Sequence, residues 1–302
     1  MLADAVQSYL SVRRAAGFAL KQAGLHLRDF AAYSDAKGQG YLNAQTAIEW
    51  AWQSSSQRQR ARRLGDVVRF ALYLHAEDER HEIPPAVFGS ERRGRPPPYI
   101  LSDEQIGRII QLAAQSGYRT LRRQTYRTLF ALLACTGLRV GEAIRLRYDD
   151  ITPDGLVIRA TKFHKSRLVA LHDTARAGLE RYLQQRRPYA PFDDHVFISL
   201  RRKPLRSADV DRAFRSVVTK MGLPHGRGQH RPTPHSLRHA FAVRALQSCP
   251  DGRDHITRHM LMLSTYLGHS KAALTYWYLE AVPDLMQSIA ERCEAYMTGD
   301  TP

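Results

Sequence analysis

Cysteine is scarce in this chain. Cys135, Cys249 and Cys293 are odd in number and lie far apart. No two of them have metal-ligand spacing, and the disulfide framework of a small secreted domain is excluded, so a reducing cytosol is the expected compartment. Long apolar runs are lacking too. The opening residues MLADAVQSYLSVRRAAG carry no apolar core of the signal-peptide kind, and no later stretch is long enough to span a bilayer. The chain is therefore expected to be cytoplasmic, with no membrane partner. There is also no glycine-rich phosphate loop, and no His, Cys or carboxylate cluster at metal-ligand spacing. Neither a nucleotide cofactor nor a metal is expected. Internal repeats and low-complexity tracts are absent as well.

Acidic residues are in short supply: 29 Asp and Glu stand against 45 Lys and Arg, a formal net charge of +16. A soluble protein this basic usually meets a polyanion, and nucleic acid is the first candidate; a merely basic, solvated surface is the alternative. Arginine carries most of the excess, which suits bidentate contact with phosphate oxygens. The imbalance is uneven, with a net +4 over residues 1–99 and +12 over residues 100–302. A hydrophobic fraction of 43% marks a globular chain, and 302 residues are enough for two domains.

Residues 1–88 read as helices. Val6, Tyr9, Leu10 and Arg13 begin one pattern; Leu25, Leu27, Phe30, Ala31 and Tyr33 form a second; Ala47, Ile48, Trp50 and Ala51 form a third. The fourth follows an N-cap at Ser55 or Ser56 and places Leu64, Val67, Val68, Ala71 and Leu72 at spacings of three and four. It opens with Arg58, Arg60, Arg62 and Arg63, which form a solvated face or follow a nucleic-acid backbone. A linker follows, GSERRGRPPPYILSDEQ, whose three consecutive prolines forbid a helix. The domain boundary is expected near residue 95, and Ser102 to Gln105 reads as a capped helix start. Beyond it, helices are expected at 103–116, 124–135, 173–186, 207–221, 235–247, 254–267 and after Pro283. Residues 155–171 alternate as a small β-hairpin. The fold class is thus mainly α with a small β-hairpin or sheet.

Four segments of the second half carry chemistry: TGLRVGEAIRL, TKFHKSRLVAL, TPHSLRHAFA and YLGHSKAALTYWYLE. They contain Arg139, Lys162, His235, Arg238, His269 and Tyr278. Two arginines, a lysine and two histidines can hold and neutralise one phosphodiester, and a tyrosine behind them can attack it. Arg139 follows a glycine turn and precedes a helix over Val140–Leu146, where backbone dipoles favour an anion. Glu142 reads as the brace of a buried arginine. His235 and Arg238, three apart on one helix, can address one phosphate together, whereas His239 reads as a packing or backbone-bonding residue. On chemistry alone either Lys162 or Lys165 can donate a proton from the hairpin, and Tyr276 rivals Tyr278.

In type and order these segments resemble the tyrosine recombinases, the phage integrase and Xer family of DNA strand-exchange enzymes, over roughly residues 100–290. The resemblance implies a helical core-binding, DNA-clamping domain over 1–95 and a catalytic domain over 96–302, closing on a duplex from opposite faces. It favours Lys162 as general acid, with Lys165 and Arg167 as phosphate contacts, and places His269 as a hydrogen-bond donor to the phosphate. Tyr278, nine residues further on, becomes the nucleophile. Strand exchange implies double-stranded DNA as partner and a tetramer on DNA, with a monomer compatible with free solution. Because the covalent link conserves bond energy, no cofactor is implied. The tail PDLMQSIAERCEAYM corresponds to a helix that docks on a neighbouring subunit or on its own domain. Two departures, TYWYLE around the tyrosine and extra residues around SCPDGRDHIT, touch no catalytic position. The implied activity is site-specific recombination: DNA integration, excision or resolution. A nicking and resealing, topoisomerase-like activity shares the chemistry, while a non-catalytic DNA-binding protein would have lost at least one of the six residues.

Overall fold

The computed structural model describes residues 2–89, 98–115, 120–159, 166–192, 194–223, 231–248 and 253–268, together with Thr275 and Tyr278. The chain divides into two compact units, Met1–Gly94 and Arg95–Pro302.

In the first unit the apolar spacings become four helices: α1 (Leu2–Ala15), α2 (Lys21–Ala36), α3 (Ala44–Trp52) and α4 (Gln57–His75). Asn43 and Ser56 cap α3 and α4, their side chains accepting hydrogen bonds from the backbone N–H groups of Thr46 and Gln59. Leu10, Leu27, Phe30, Trp50, Val67 and Phe70 meet in one core. The buried Trp50 indole satisfies its N–H by donating to Asp29, 3.0 Å away. Leu25 and Leu72, expected on the buried stripes, are instead 59% and 53% exposed. On α4 the inward face is Leu64, Val67, Phe70, Ala71 and Leu74, a stripe that Leu72 misses by about half a turn.

The second unit contains α5 (Asp103–Gln115), α6 (Thr120–Thr136), the single turn α7 (Val140–Ala143), α8 (Asp173–Arg186), α9 (Ser207–Lys220), α10 (Pro234–Gln247) and α11 (Arg253–Leu267). Ser102 and Gln105 form a reciprocal cap at the start of α5: each side chain bonds the other's backbone N–H. Pro234 opens α10 with its φ already set, and Ser236 returns a bond to the Thr233 N–H. Between α7 and α8 lie three strands, β1 (Ile151–Thr152), β2 (Gly155–Ile158) and β3 (Arg167–Val169), in one antiparallel sheet of order β1-β2-β3. The expected hairpin is β2 and β3, with Leu156 opposite Val169 and Ile158 opposite Arg167. The sequence reading missed β1, a two-residue strand too short to show alternation. Gly155, at φ +141°, lets β2 pass the Val169 carbonyl: a Cβ there would sit 2.3 Å from that oxygen.

α6 lies at the middle of this unit. Leu129, Phe130 and Leu133 are fully buried, and Phe130 meets Phe214 of α9 edge-on at 5.3 Å. α10 is buried along most of its length, with Ser236, Leu237, Arg238, His239 and Ala240 in succession shielded from solvent. A charge in that buried stretch, Arg238, must find its partners inside. Among the described residues no helix is long and apolar enough to cross a membrane.

Candidate active site

The site is organised by the end of α11. A helix leaves its last carbonyls without partners, and these carry the negative end of the helix dipole. Here three successive carbonyls each accept from a different arginine. Arg167 Nε donates to Tyr266 (2.8 Å), Arg238 Nη2 to Leu267 (2.8 Å) and Arg139 Nη2 to Gly268 (3.0 Å). The three come from β3, α10 and the residue before α7, so one helix end gathers cations from three places in the sequence. Gly268 turns the chain at φ +65°, and a Cβ on it would lie 2.8 Å from the Arg167 guanidinium.

Arg238 is 1% exposed. Its Nη1 also donates to the Gly137 carbonyl, at 2.6 Å, tying the α6–α7 turn to the end of α11. Burial first, and then the nearby Arg139 charge, lower the Arg238 pKa to about 10, while Tyr278 and Glu142 act in the opposite sense. At neutral pH the guanidinium stays charged. Gly137 must be glycine for two reasons: φ is +61°, and a Cβ would meet Phe241 at 2.5 Å.

Glu142 is the counter-charge. It accepts from Arg139 Nη1 (2.8 Å) and the Arg139 backbone N–H (3.0 Å), and it takes both Arg167 guanidinium nitrogens, at 3.1 and 2.8 Å. Burial pushes its pKa up, but hydrogen bonds from Arg167 and from the Arg139 backbone, with the Arg167 charge, outweigh this and hold it at about 2. The expected brace is therefore present, and it serves two arginines.

Tyr278 is 2% exposed, its ring set among Ala242, Val243, Leu246, Met260, Leu263 and Leu267. Its hydroxyl lies 3.0 Å from Nδ1 of His239. The His239 ring meets His235 edge-on, with centroids 4.5 Å apart.

These positions can be compared with known proteins. The phage integrase family model matches residues 100–283, more than half of the chain. The chain belongs to the phage integrase family. Its similarity to the provisionally named integrase/recombinase y4rB of Sinorhizobium fredii is 37% identity over 96% of this chain and 96% of that protein. The tyrosine recombinase XerD of Proteus mirabilis is 30% identical over 77% of this chain and 71% of its own length. Among solved structures, the XerH site-specific recombinase bound to palindromic difH substrate, a post-cleavage complex, superposes with a TM-score of 0.65 at 18% identity, covering 90% of this chain and 78% of that one. The likeness to XerH is one of fold.

Of the six residues that marked this integrase in the sequence, the described structure contains Arg139, His235, Arg238 and Tyr278, and it brings them together around the end of α11. Lys162 and His269 lie outside the described residues, as do Lys165, Tyr276 and the tail with Leu285, Met286 and Ile289. Two expectations need correction, the length of the helix after Arg139 and the partner of His239. The helix after Arg139 is one turn, not the seven residues Val140–Leu146, so Arg139 is oriented by Glu142 and the Gly268 carbonyl more than by a helix dipole. Arg167, for which the resemblance implies a phosphate contact, has a side chain 12% exposed, with all three guanidinium nitrogens bonded inside the protein. His239, expected to pack or bond backbone, meets the tyrosine hydroxyl instead.

The four arginines of α4 also divide. Arg58 and Arg62 are exposed. Arg60 lies over Trp52 at 4.3 Å and donates to the Ser54 carbonyl, while Arg63 lies over Trp50 at 4.0 Å and pairs with Asp29. Both are engaged within the first unit, and the aromatic partners eight and thirteen residues upstream are the local signal for it. The sequence reading also passed over a cleft of about 580 Å³ in the second unit. Arg122, Arg201, Lys203, Arg206 and Arg212 line it, with Asp209 as the carboxylate among them. RRK at 201–203 was its one local signal.

Proposed function

We propose that this tyrosine recombinase cuts and rejoins double-stranded DNA at specific sites through a 3′-phosphotyrosine link, with Tyr278 as nucleophile. The Tyr278 oxygen bonds to the scissile phosphorus as the bond to the 5′ oxygen breaks. Lys162 gives that oxygen its proton, releasing a 5′-hydroxyl. The 5′-hydroxyl of a partner strand then attacks the link and frees the phenol. Arg139 and Arg238 draw the non-bridging oxygens, His269 donates a hydrogen bond to them, and His235 assists proton transfer. A phenol has an ordinary pKa near 10, so its attack depends on the cations that surround it. Those cations also meet the charge that grows on a five-coordinate phosphorus.

The observation that carries this reading is the convergence of Arg139 and Arg238, 99 positions apart, on adjacent carbonyls at the end of α11, with the Tyr278 hydroxyl 3.0 Å from His239, the residue after Arg238. Strand exchange between two duplexes calls for a tetramer on DNA. Action on chromosomal or mobile DNA calls for the cytoplasm. Residues 1–95 serve as the DNA-clamping domain and 96–302 as the catalytic one. Arg58, Arg62 and Lys165, with the arginines of the basic cleft, contact phosphates.

The test is a covalent trap. The protein is incubated with nicked candidate attachment-site duplexes, then denatured and resolved. The wild type is expected to leave a protein–DNA adduct, and Tyr278→Phe to leave none while still binding the same duplex. An adduct that survives Tyr278→Phe moves the nucleophile elsewhere, to Tyr276 first. No adduct on any duplex that the protein binds overturns the reading.

A further inference from the structure

We propose that His239 is the positioning residue for the nucleophile: through Nδ1 it holds the Tyr278 hydroxyl at the place from which it attacks. The inference rests on the reading of Tyr278 as nucleophile. Tyr278 is buried in one apolar cluster with residues of α10 and α11, and apolar packing by itself does not aim a hydroxyl. His239 supplies the direction. Its Nδ1 is 3.0 Å from the phenol oxygen, and the two rings meet at 62° with centroids 5.5 Å apart. Whichever ring nitrogen carries the proton, this contact holds the oxygen.

His239 is itself well placed for the task. It sits one residue after Arg238 on α10, a helix that is buried along most of its length, so its Cα cannot drift from the guanidinium. Its own side chain is mostly buried, and the exposed His235, one turn earlier, braces its ring edge-on at 4.5 Å. The helix thus sends residue 238 to the arginine cluster and residue 239 to the nucleophile. A hundred-degree rotation between neighbours separates the two tasks. Reacting groups must be held to within about half an ångström to react well, and an error of about 1 Å can cost roughly a hundredfold in rate.

The experiment compares His239→Asn and His239→Gln in the full-length chain. The asparagine amide occupies the place of Nδ1, whereas the glutamine amide reaches the place of Nε2. With nicked duplex at saturating concentration, single-turnover adduct formation is expected to fall on the order of a hundredfold in His239→Gln and to recover most of that loss in His239→Asn, with duplex affinity alike in both. Fluorotyrosine placed at position 278 should show a ¹⁹F shift that His239→Asn preserves and His239→Gln displaces, in the absence of DNA. Equal rates in the two variants, or a faster His239→Gln, overturn the proposal. So does a displaced ¹⁹F signal with wild-type cleavage. A parallel Tyr278→Phe lane separates the two claims: an adduct there defeats the nucleophile assignment, and the His239 role falls with it.

Discussion

Glu142 shows how much a residue with no reacting role can govern a site. Its carboxylate is buried against Arg139 and Arg167, so removing its charge strands the buried Arg167 guanidinium beside a second cation. Breaking a buried pair from one side typically costs about 3–5 kcal/mol. Glu142→Gln is therefore expected to lower the denaturation midpoint at neutral pH and to weaken adduct formation, because Arg139 loses its orientation. Acid should close the gap. The folded pKa, about 2, lies below the ordinary 4.5, so the unfolded chain binds the proton more readily. The stabilisation is whole above about pH 4.5 and is lost as pH falls through 2. Chemical denaturation of wild type and Glu142→Gln at several pH values between those limits checks it, and a gap that stays constant across them would refute it. At this scale the sequence was legible where residue type limited the choices. A glutamate three positions after an arginine reads as a brace. That it serves Arg167 as well, and that His239 turns toward a tyrosine 39 positions away, depends on packing that no local spacing records.

The elements that position the site are joined by tight backbone turns. At the α6–α7 junction Gly137 adopts a left-handed φ, and its carbonyl receives Arg238. Gly137→Ala would place a methyl against Phe241 and force an unfavourable conformation worth about 1–2 kcal/mol before any clash is counted. The expected result is a destabilised protein in which adduct formation drops further than duplex binding, because the Arg238 anchor moves with the turn. A melting curve read beside a trapping assay tests both; wild-type trapping in Gly137→Ala would refute the link. Helix starts were legible because they depend on side chains three residues apart, as at Ser56 and at Ser102 with Gln105. β1 was not legible, since a two-residue strand exists only by pairing with β2. Nor was the single-turn length of α7, which follows a sequence that reads as helix through Leu146.

For the molecule as a whole, the +16 charge has to be divided between cations that face a ligand and cations used inside the fold. Arg60, Arg63 and Arg167 belong to the second group by their contacts, whereas Arg139 and Arg238 are anchored inside the fold and are also the pair proposed to draw the phosphate oxygens. Arg58 and Arg62 on the first unit, and Arg201 and Arg206 at the basic cleft of the second, are exposed. Each phosphate neutralised adds about 0.9 to the slope of binding against salt on a log–log scale. Alanine at any of these four is expected to lower that slope by about 1, with little change in melting temperature. Arg60→Ala and Arg63→Ala should show the reverse, a loss of stability with the slope nearly kept. Titrating one labelled duplex across a range of salt concentrations, beside thermal melts, distinguishes the groups; an unchanged slope in all four exposed variants would refute the assignment.

Taken alone, the sequence determined the helical class, the break near residue 95, the polyanionic partner and the set of residues fit for phosphodiester chemistry. Each of these follows from residue type, short spacing or net charge, quantities that survive without coordinates. The tertiary structure decided which internal partner anchors each cation. Arg139, Arg167 and Arg238 look alike in the sequence, but the end of α11 presents a separate carbonyl to each, and Glu142 reaches only the first two. A helix end acts through space on whatever the chain brings near it, so these assignments could be read only once β3, α10 and the α6–α7 turn had been packed around it.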